Sequence, residues 1–149
     1  EGTGTEKKID QGLARLEDYS KAGNAYASFS LAVIYRQGNF VKTDVARAIG
    51  YYETAGKAGL GAAYGALAMM YLGGESVKKD IDRAYQVFLE GAEAGHVGVQ
   101  LLFARSLAEG LVPSEDGTKE AVVWMCTAGE RGKTLHFELF RRDISCPVK

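Results

Sequence analysis

Between Asn24 and Gly59 the apolar positions fall into two helical stripes. Ala27, Leu31, Ala32 and Tyr35 stand at i, i+4, i+5 and i+8, which is one face of a helix. Gly38 is placed to close that helix, because glycine takes the left-handed cap conformation without strain. Asp44 follows as an N-cap for a second helix, its carboxylate able to satisfy orphan amides. Ala48, Tyr51, Tyr52 and Ala55 give that second helix an apolar face, and Gly59 ends it. No stretch of the unit alternates with period two for long enough to argue for a strand. The pattern predicts a helix–loop–helix hairpin.

The hairpin is written more than once. Lys57-Ala58-Gly59 has a twin at Lys21-Ala22-Gly23 and a near-twin at Glu93-Ala94-Gly95, each 36 residues away, and Gly132 follows 37 residues on. The Leu31-Ala32 pair returns as Leu67-Ala68 and then Phe103-Ala104. Tyr35, Tyr71 and Leu107 keep the step, as do Gly38, Gly74 and Gly110, and Asp44, Asp80 and Asp116. A fixed period of about 20–50 residues marks a stack of supersecondary units, each burying its apolar faces against its neighbours.

The run Ala-x-x-x-Leu-Ala-x-x-Tyr-x-x-Gly-x-x-Val-x-x-Asp-x-x-x-Ala-x-x-Tyr-Tyr-x-x-Ala-x-x-Ala-Gly from Ala27 to Gly59 resembles a Sel1-like repeat, a relative of the tetratricopeptide repeat. The second unit matches at Ala63, Leu67, Ala68, Tyr71, Gly74, Val77, Asp80, Ala84, Phe88 and Ala94-Gly95. The third is looser, through Val99, Phe103, Ala104, Leu107, Gly110, Asp116, Ala121, Trp124, Ala128 and Gly132, with one extra residue before Ala121. The resemblance implies one all-α domain over 1–149, an α-solenoid coiled as a right-handed superhelix of helix–loop–helix repeats. Its units are 24–59, 60–95 and 96–132, with a lone second helix at 8–23 before them. A partial first helix and tail at 133–149, marked by Leu135, Leu139 and Phe140, end the chain, and the register of that helix is left open.

Along the chain, Glu1–Glu6 is polar and Gly-containing and is expected to fray. The absence of an initiator Met fits a processed chain, with a removed signal peptide compatible, or an excised fragment. Ile9, Leu13, Leu16 and Tyr19 form a stripe that would cover the first unit. The uncharged run Leu60–Gly74 is too short to span a membrane, which takes about 20 residues, and reads as a helix buried between neighbours. In the loop GLVPSEDG, Gly110–Gly117, Pro113 holds Val112 extended, and Asp116 competes with Ser114 for the cap. That loop absorbs an insertion or serves as a contact point, the first being favoured.

Composition removes other classes. Of the 149 residues, 46% are hydrophobic and 25% charged, the balance of a soluble globular chain. With a net charge of −1 and scattered Lys and Arg, neither nucleic acid nor an anionic membrane is an electrostatically favoured partner. His96 and His136, each read as lying near a helix start, have no carboxylate or cysteine at metal spacing, and His96 is expected to face solvent. No nucleophile elbow or phosphate loop appears, so neither catalytic residues nor a cofactor are expected. Trp124, in the slot of Tyr51 and Val87, reads as a core aromatic rather than a binding residue. Cys126 and Cys146 allow either a disulfide that pins the tail to the last hairpin or two partly buried thiols; the bond would imply an oxidising compartment. Some Sel1-like proteins carry a disulfide in every unit, a pattern this chain lacks.

Function is then expected at a surface. By helical angle, Tyr26, Phe29, Ser30, Val33 and Gln37 of the first unit point away from the core face, into the concave side of the implied superhelix. Ala62, Gly65, Ala66, Met69 and Gly73 match them in the second unit, and Gly98, Leu101, Leu102, Arg105 and Glu109 in the third. Phe29, Val33, Met69, Leu101 and Leu102 make the strip apolar, as interaction sites are, and methionine adapts to varied partners. The competing reading buries several of them between units. The resemblance implies a non-enzymatic protein-binding adaptor, and in a sharper form an inhibitor or immunity protein that neutralises an exported bacterial effector or toxin enzyme. The expected location is the periplasm or another exported compartment, with the cytoplasm as the alternative. A second class, also from the resemblance, is a hydrolase of cell-wall or β-lactam compounds, for which no residues stand out.

Overall fold

Eight α-helices and no strand are formed by the residues that the computed structural model describes, 4–74, 76–140 and 145–146. In order they are α1 Gly4–Lys21, α2 Ala25–Gln37, α3 Val45–Lys57, α4 Gly61–Gly73, α5 Ile81–Glu93, α6 Val97–Ala108, α7 Gly117–Thr127 and α8 Glu130–Phe140. The architecture is the all-α solenoid of paired helices that the periodicity predicts. The chain divides into two compact units, Glu1–Ala63 and Tyr64–Lys149.

The caps repeat as the sequence pattern does. Asp44, Asp80 and Asp116 each accept a hydrogen bond from the amide three residues on, of Arg47, Arg83 and Lys119, at 3.0, 2.9 and 3.1 Å. Asn24 does the same for α2, from the Ala27 amide at 3.0 Å. Asp80→Ala leaves that amide of α5 without its partner and is expected to cost about 1 kcal/mol. A urea titration measures it; an unchanged midpoint would mean that solvent replaces the cap at no cost. The Lys119 ammonium, 2.7 Å from Asp116, holds that carboxyl below its ordinary value. A depressed carboxyl contributes stability above the unfolded pKa and loses it as pH falls through the folded one. The cap on α7 therefore persists further into acid than an unpaired one.

In the first unit Leu31, Tyr35 and Ala48 are packed by Leu13, Leu16, Val41 and Tyr51. Tyr35 stacks on Tyr51, 5.8 Å between ring centres, and its hydroxyl accepts from Arg47 Nη1 at 2.8 Å. The stripe of α1 continues to Ser20 rather than Tyr19, since Leu13, Leu16 and Ser20 stand at i, i+3 and i+7. Ser20 is buried and shares a 2.8 Å hydrogen bond with Ser28, whereas Tyr19 is 60% exposed. The expected fraying also stops short, because α1 begins at Gly4; residues 1–3 lie outside the described residues.

The second unit is built on aromatics. Phe103 is fully buried, stacked on Phe88 at 5.6 Å and met edge-on by Tyr85 at 5.2 Å. Trp124 is half-buried, its ring 5.7 Å from Phe103, so it packs on the core as expected. Glu120 on α7 accepts from the Tyr85 hydroxyl at 2.9 Å and from the Ser114 hydroxyl at 2.7 Å. Val112, in the same loop as Ser114, is buried. The loop Gly110–Gly117 is thus held at both ends of its Pro113 turn.

The end of the third hairpin differs from the expectation. Gly132 does not terminate α7. Gly129, at φ 68°, does so, and α8 starts at the next residue. Gly132 is buried inside α8, where a Cβ would fall on the carbonyl oxygen of Met125. Glycine at 132 is required by that helix approach rather than by a cap. His136 is correspondingly buried in the middle of α8, its ring 4.8 Å from Phe140, and not at a helix start. His96, at the N-cap of α6, is half-buried beside Tyr64, 5.9 Å away, rather than fully in solvent.

Cys126 on α7 and Cys146 form a disulfide with their Cα atoms 5.6 Å apart. Of the two alternatives left by the sequence, the bonded one is present. The bridge encloses α8 in a closed loop, the half-cystines standing 20 positions apart in the chain. Residues 141–144 and 147–149 of the tail lie outside the described residues.

Candidate interaction surface

The strip expected on the first helices is placed unevenly. In the unit Glu1–Ala63, Tyr26 stands 73% exposed and Gln37 is also exposed, its Oε1 accepting from Asn39 Nδ2 at 3.1 Å. Phe29, Ser30 and Val33 are half-buried. Phe29 is committed to its own hairpin, set edge-on to Tyr52 of α3 at 5.5 Å. For Phe29 the packing reading prevails, because the neighbouring helix offers an aromatic partner at contact distance.

In the unit Tyr64–Lys149 the strip is open. Met69 on α4 is 49% exposed and Leu102 on α6 is 42% exposed. Gly65, one turn before Met69, is buried beneath Leu102: a Cβ there would stand 3.1 Å from Leu102 Cδ1. The missing side chain lets Leu102 lie against α4. Glu109, the C-cap residue of α6, is exposed one turn past Arg105.

Beside Leu102 a cleft of about 440 Å³ opens between α6 and α8. Gly98, Leu101, Leu102 and Arg105 form one wall, and Arg131, Thr134, Leu135 and Glu138 form the other. Four of the sequence-expected residues are therefore gathered here, and a second wall is added that the strip did not include. Arg131, Thr134, Leu135 and Glu138 stand at i, i+3, i+4 and i+7, the spacing of one helix face. That signal was present in the chain but unreadable without the register of α8.

The cleft is apolar at its floor and charged at its rim. Arg105 Nη2 lies 3.7 Å from Glu138 Oε2, with both side chains about half exposed. At that distance and exposure the pair is a weak one. The Thr134 hydroxyl is taken by the Glu130 carbonyl at 3.2 Å. Arg131 has no hydrogen-bond or ion-pair partner among the described residues. No group of three or more His, Cys, Asp or Glu side chains able to hold a metal ion occurs among the described residues. Among the same residues no helix is long and apolar enough to cross a membrane. The surface can take up apolar side chains and a carboxylate.

Comparison with known proteins bears on the repeats and the fold. The family described as Sel1 repeat matches residues 25–60 and 61–96. Among solved structures the chain is similar to a Sel1 repeat protein from Oxalobacter formigenes, at 27% identity over 86% of this chain and 52% of that one, with a TM-score of 0.68. It is also similar to a protective antigen of uropathogenic Escherichia coli displaying an SLR fold, at 27% identity over 85% of this chain and 28% of that one, with a TM-score of 0.65. The chain thus spans about half the length of the first and under a third of the second. No curated protein matches it.

Proposed function

From a chain that carries two Sel1 repeats, we propose a non-enzymatic scaffold that binds a partner protein across Met69, Leu101, Leu102 and the cleft between α6 and α8. Repeats of this class generally mediate protein–protein interaction. The observation that carries the reading is the exposure of two apolar side chains, Met69 on α4 and Leu102 on α6, with Leu102 lying over Gly65 and lining a cleft together with Leu101 and Leu135. Apolar side chains grouped in this way on a solvent face mark interaction sites. A finer form of the reading makes the partner an exported effector or toxin enzyme that the chain neutralises; its support is the resemblance of small Sel1-like chains to inhibitors of that kind. An oxidising, exported location goes with the Cys126–Cys146 bond.

Affinity capture with the purified chain as bait tests the function, with a Met69→Asp, Leu102→Asp double variant in parallel. Both positions are half open, so thermal unfolding is expected to stay within about 1 kcal/mol of the parent. A partner held in stoichiometric amount by the parent and lost by the variant supports the scaffold. Equal capture by both removes this surface from the reading, and a variant that unfolds shows the two residues to be core.

A further inference from the structure

We infer that the cleft between α6 and α8 recognises an acidic segment of a partner protein, one that seats a leucine-sized apolar side chain against Leu101, Leu102 and Leu135 and places a carboxylate between Arg105 and Arg131. This deepens the scaffold reading above and rests on it. The two walls contribute two guanidinium groups and one carboxylate, so the rim carries an excess positive charge on a chain whose overall charge is −1. Arg131 makes no ion pair among the described residues, and Arg105 holds Glu138 only at 3.7 Å. Both arginines therefore keep donors free. A guanidinium presents those donors as a planar fork matched to a carboxylate, which ammonium groups do not.

The space fits such an occupant. About 440 Å³ accommodates one or two side chains rather than a folded element. Gly98 has nothing within 4 Å of where a Cβ would stand, so the cleft stays open at that wall. With the Thr134 hydroxyl already bonded to a backbone carbonyl, the arginines are the donors that set the polarity of the ligand. A basic segment would meet Glu138 but leave two guanidinium groups facing like charge, which costs more than the single contact returns.

Selection from a random peptide library displayed on phage tests the assignment, using the full-length chain as target. The parent is expected to enrich peptides in which Asp or Glu lies within a few residues of Leu, Ile or Phe. Synthetic copies of an enriched peptide should bind about tenfold more weakly for each of Arg105→Gln and Arg131→Gln, and more weakly as salt rises. An Arg105→Glu, Arg131→Glu double variant should shift the enrichment to Lys and Arg, a result that mere loss of fold would not produce. Enrichment without acidic bias, or no enrichment, overturns the inference. If Met69→Asp with Leu102→Asp loses the captured partner while the two Gln variants retain it, the scaffold stands and the carboxylate site falls. If none of these variants affects capture, the carboxylate site falls and this surface leaves the scaffold reading with it.

Discussion

Phe103→Ala is expected to lower the stability of the unit Tyr64–Lys149 by about 3–5 kcal/mol, the range for truncating a fully buried aromatic. The side chain is inaccessible to solvent and touches three other rings, of Tyr85, Phe88 and Trp124. Its removal leaves a cavity at the meeting point of the three rings. Tyr85 is anchored by its hydroxyl to Glu120, which also ties down Ser114 of the loop before α7. The damage should therefore reach that loop. Trp124 is the one tryptophan of the chain and lies beside the lesion, so its fluorescence reports on this unit directly. In urea the fluorescence midpoint should fall by about 2 M, taking a slope of about 2 kcal/mol per M. Phe103→Leu, which keeps most of the volume, should cost about 1 kcal/mol. Equal midpoints for the parent and the alanine variant would mean that the aromatic cluster is not the core of this unit.

Cys146→Ser is expected to cost about 3 kcal/mol, from the entropy that the 20-residue bridge removes from the unfolded chain. The loss should be local. The closed loop contains α8 and little else, so amide exchange should accelerate in Glu130–Phe140 well before it does in α5 or α6. Reducing the parent with dithiothreitol should reproduce the shift, and the reductant should leave the variant where it is. Since α8 supplies Arg131, Leu135 and Glu138 to the cleft, peptide binding should weaken with the bridge broken. A melting temperature unchanged by both the substitution and the reductant would show that α8 is held by its packing on α6 and α7 alone.

The third hairpin marks where a reading by period runs out. Ala22-Gly23, Ala58-Gly59 and Ala94-Gly95 are followed by Ala128-Gly129, not by Gly132, and Gly129 has the positive φ of the other three. The dipeptide was legible. It lay three residues short of the expected spacing, and a fixed period overrode it. The shortening is set by the close approach of α7 and α8, in which Gly132 lies against the Met125 carbonyl. That contact joins two helices and leaves no mark in the local pattern. The consequence for the site is direct, since every α8 residue of the cleft depended on a register that only the contact fixes.

The amino-acid sequence by itself determined the all-α class, the helix pairs, their caps and the apolar faces of α2 to α6. These follow from interactions spanning four residues or fewer: a carboxylate on an amide, a glycine at positive φ, side chains one turn apart. The tertiary structure decided which outward residues are covered. Phe29 meets Tyr52, Gly65 disappears under Leu102, and Met69 remains open. It also decided that Cys126 reaches Cys146, and that Arg105 faces Glu138 across a cleft. Exposure is a property of neighbours distant in sequence, and helical angle specifies only the direction in which a side chain leaves its own helix.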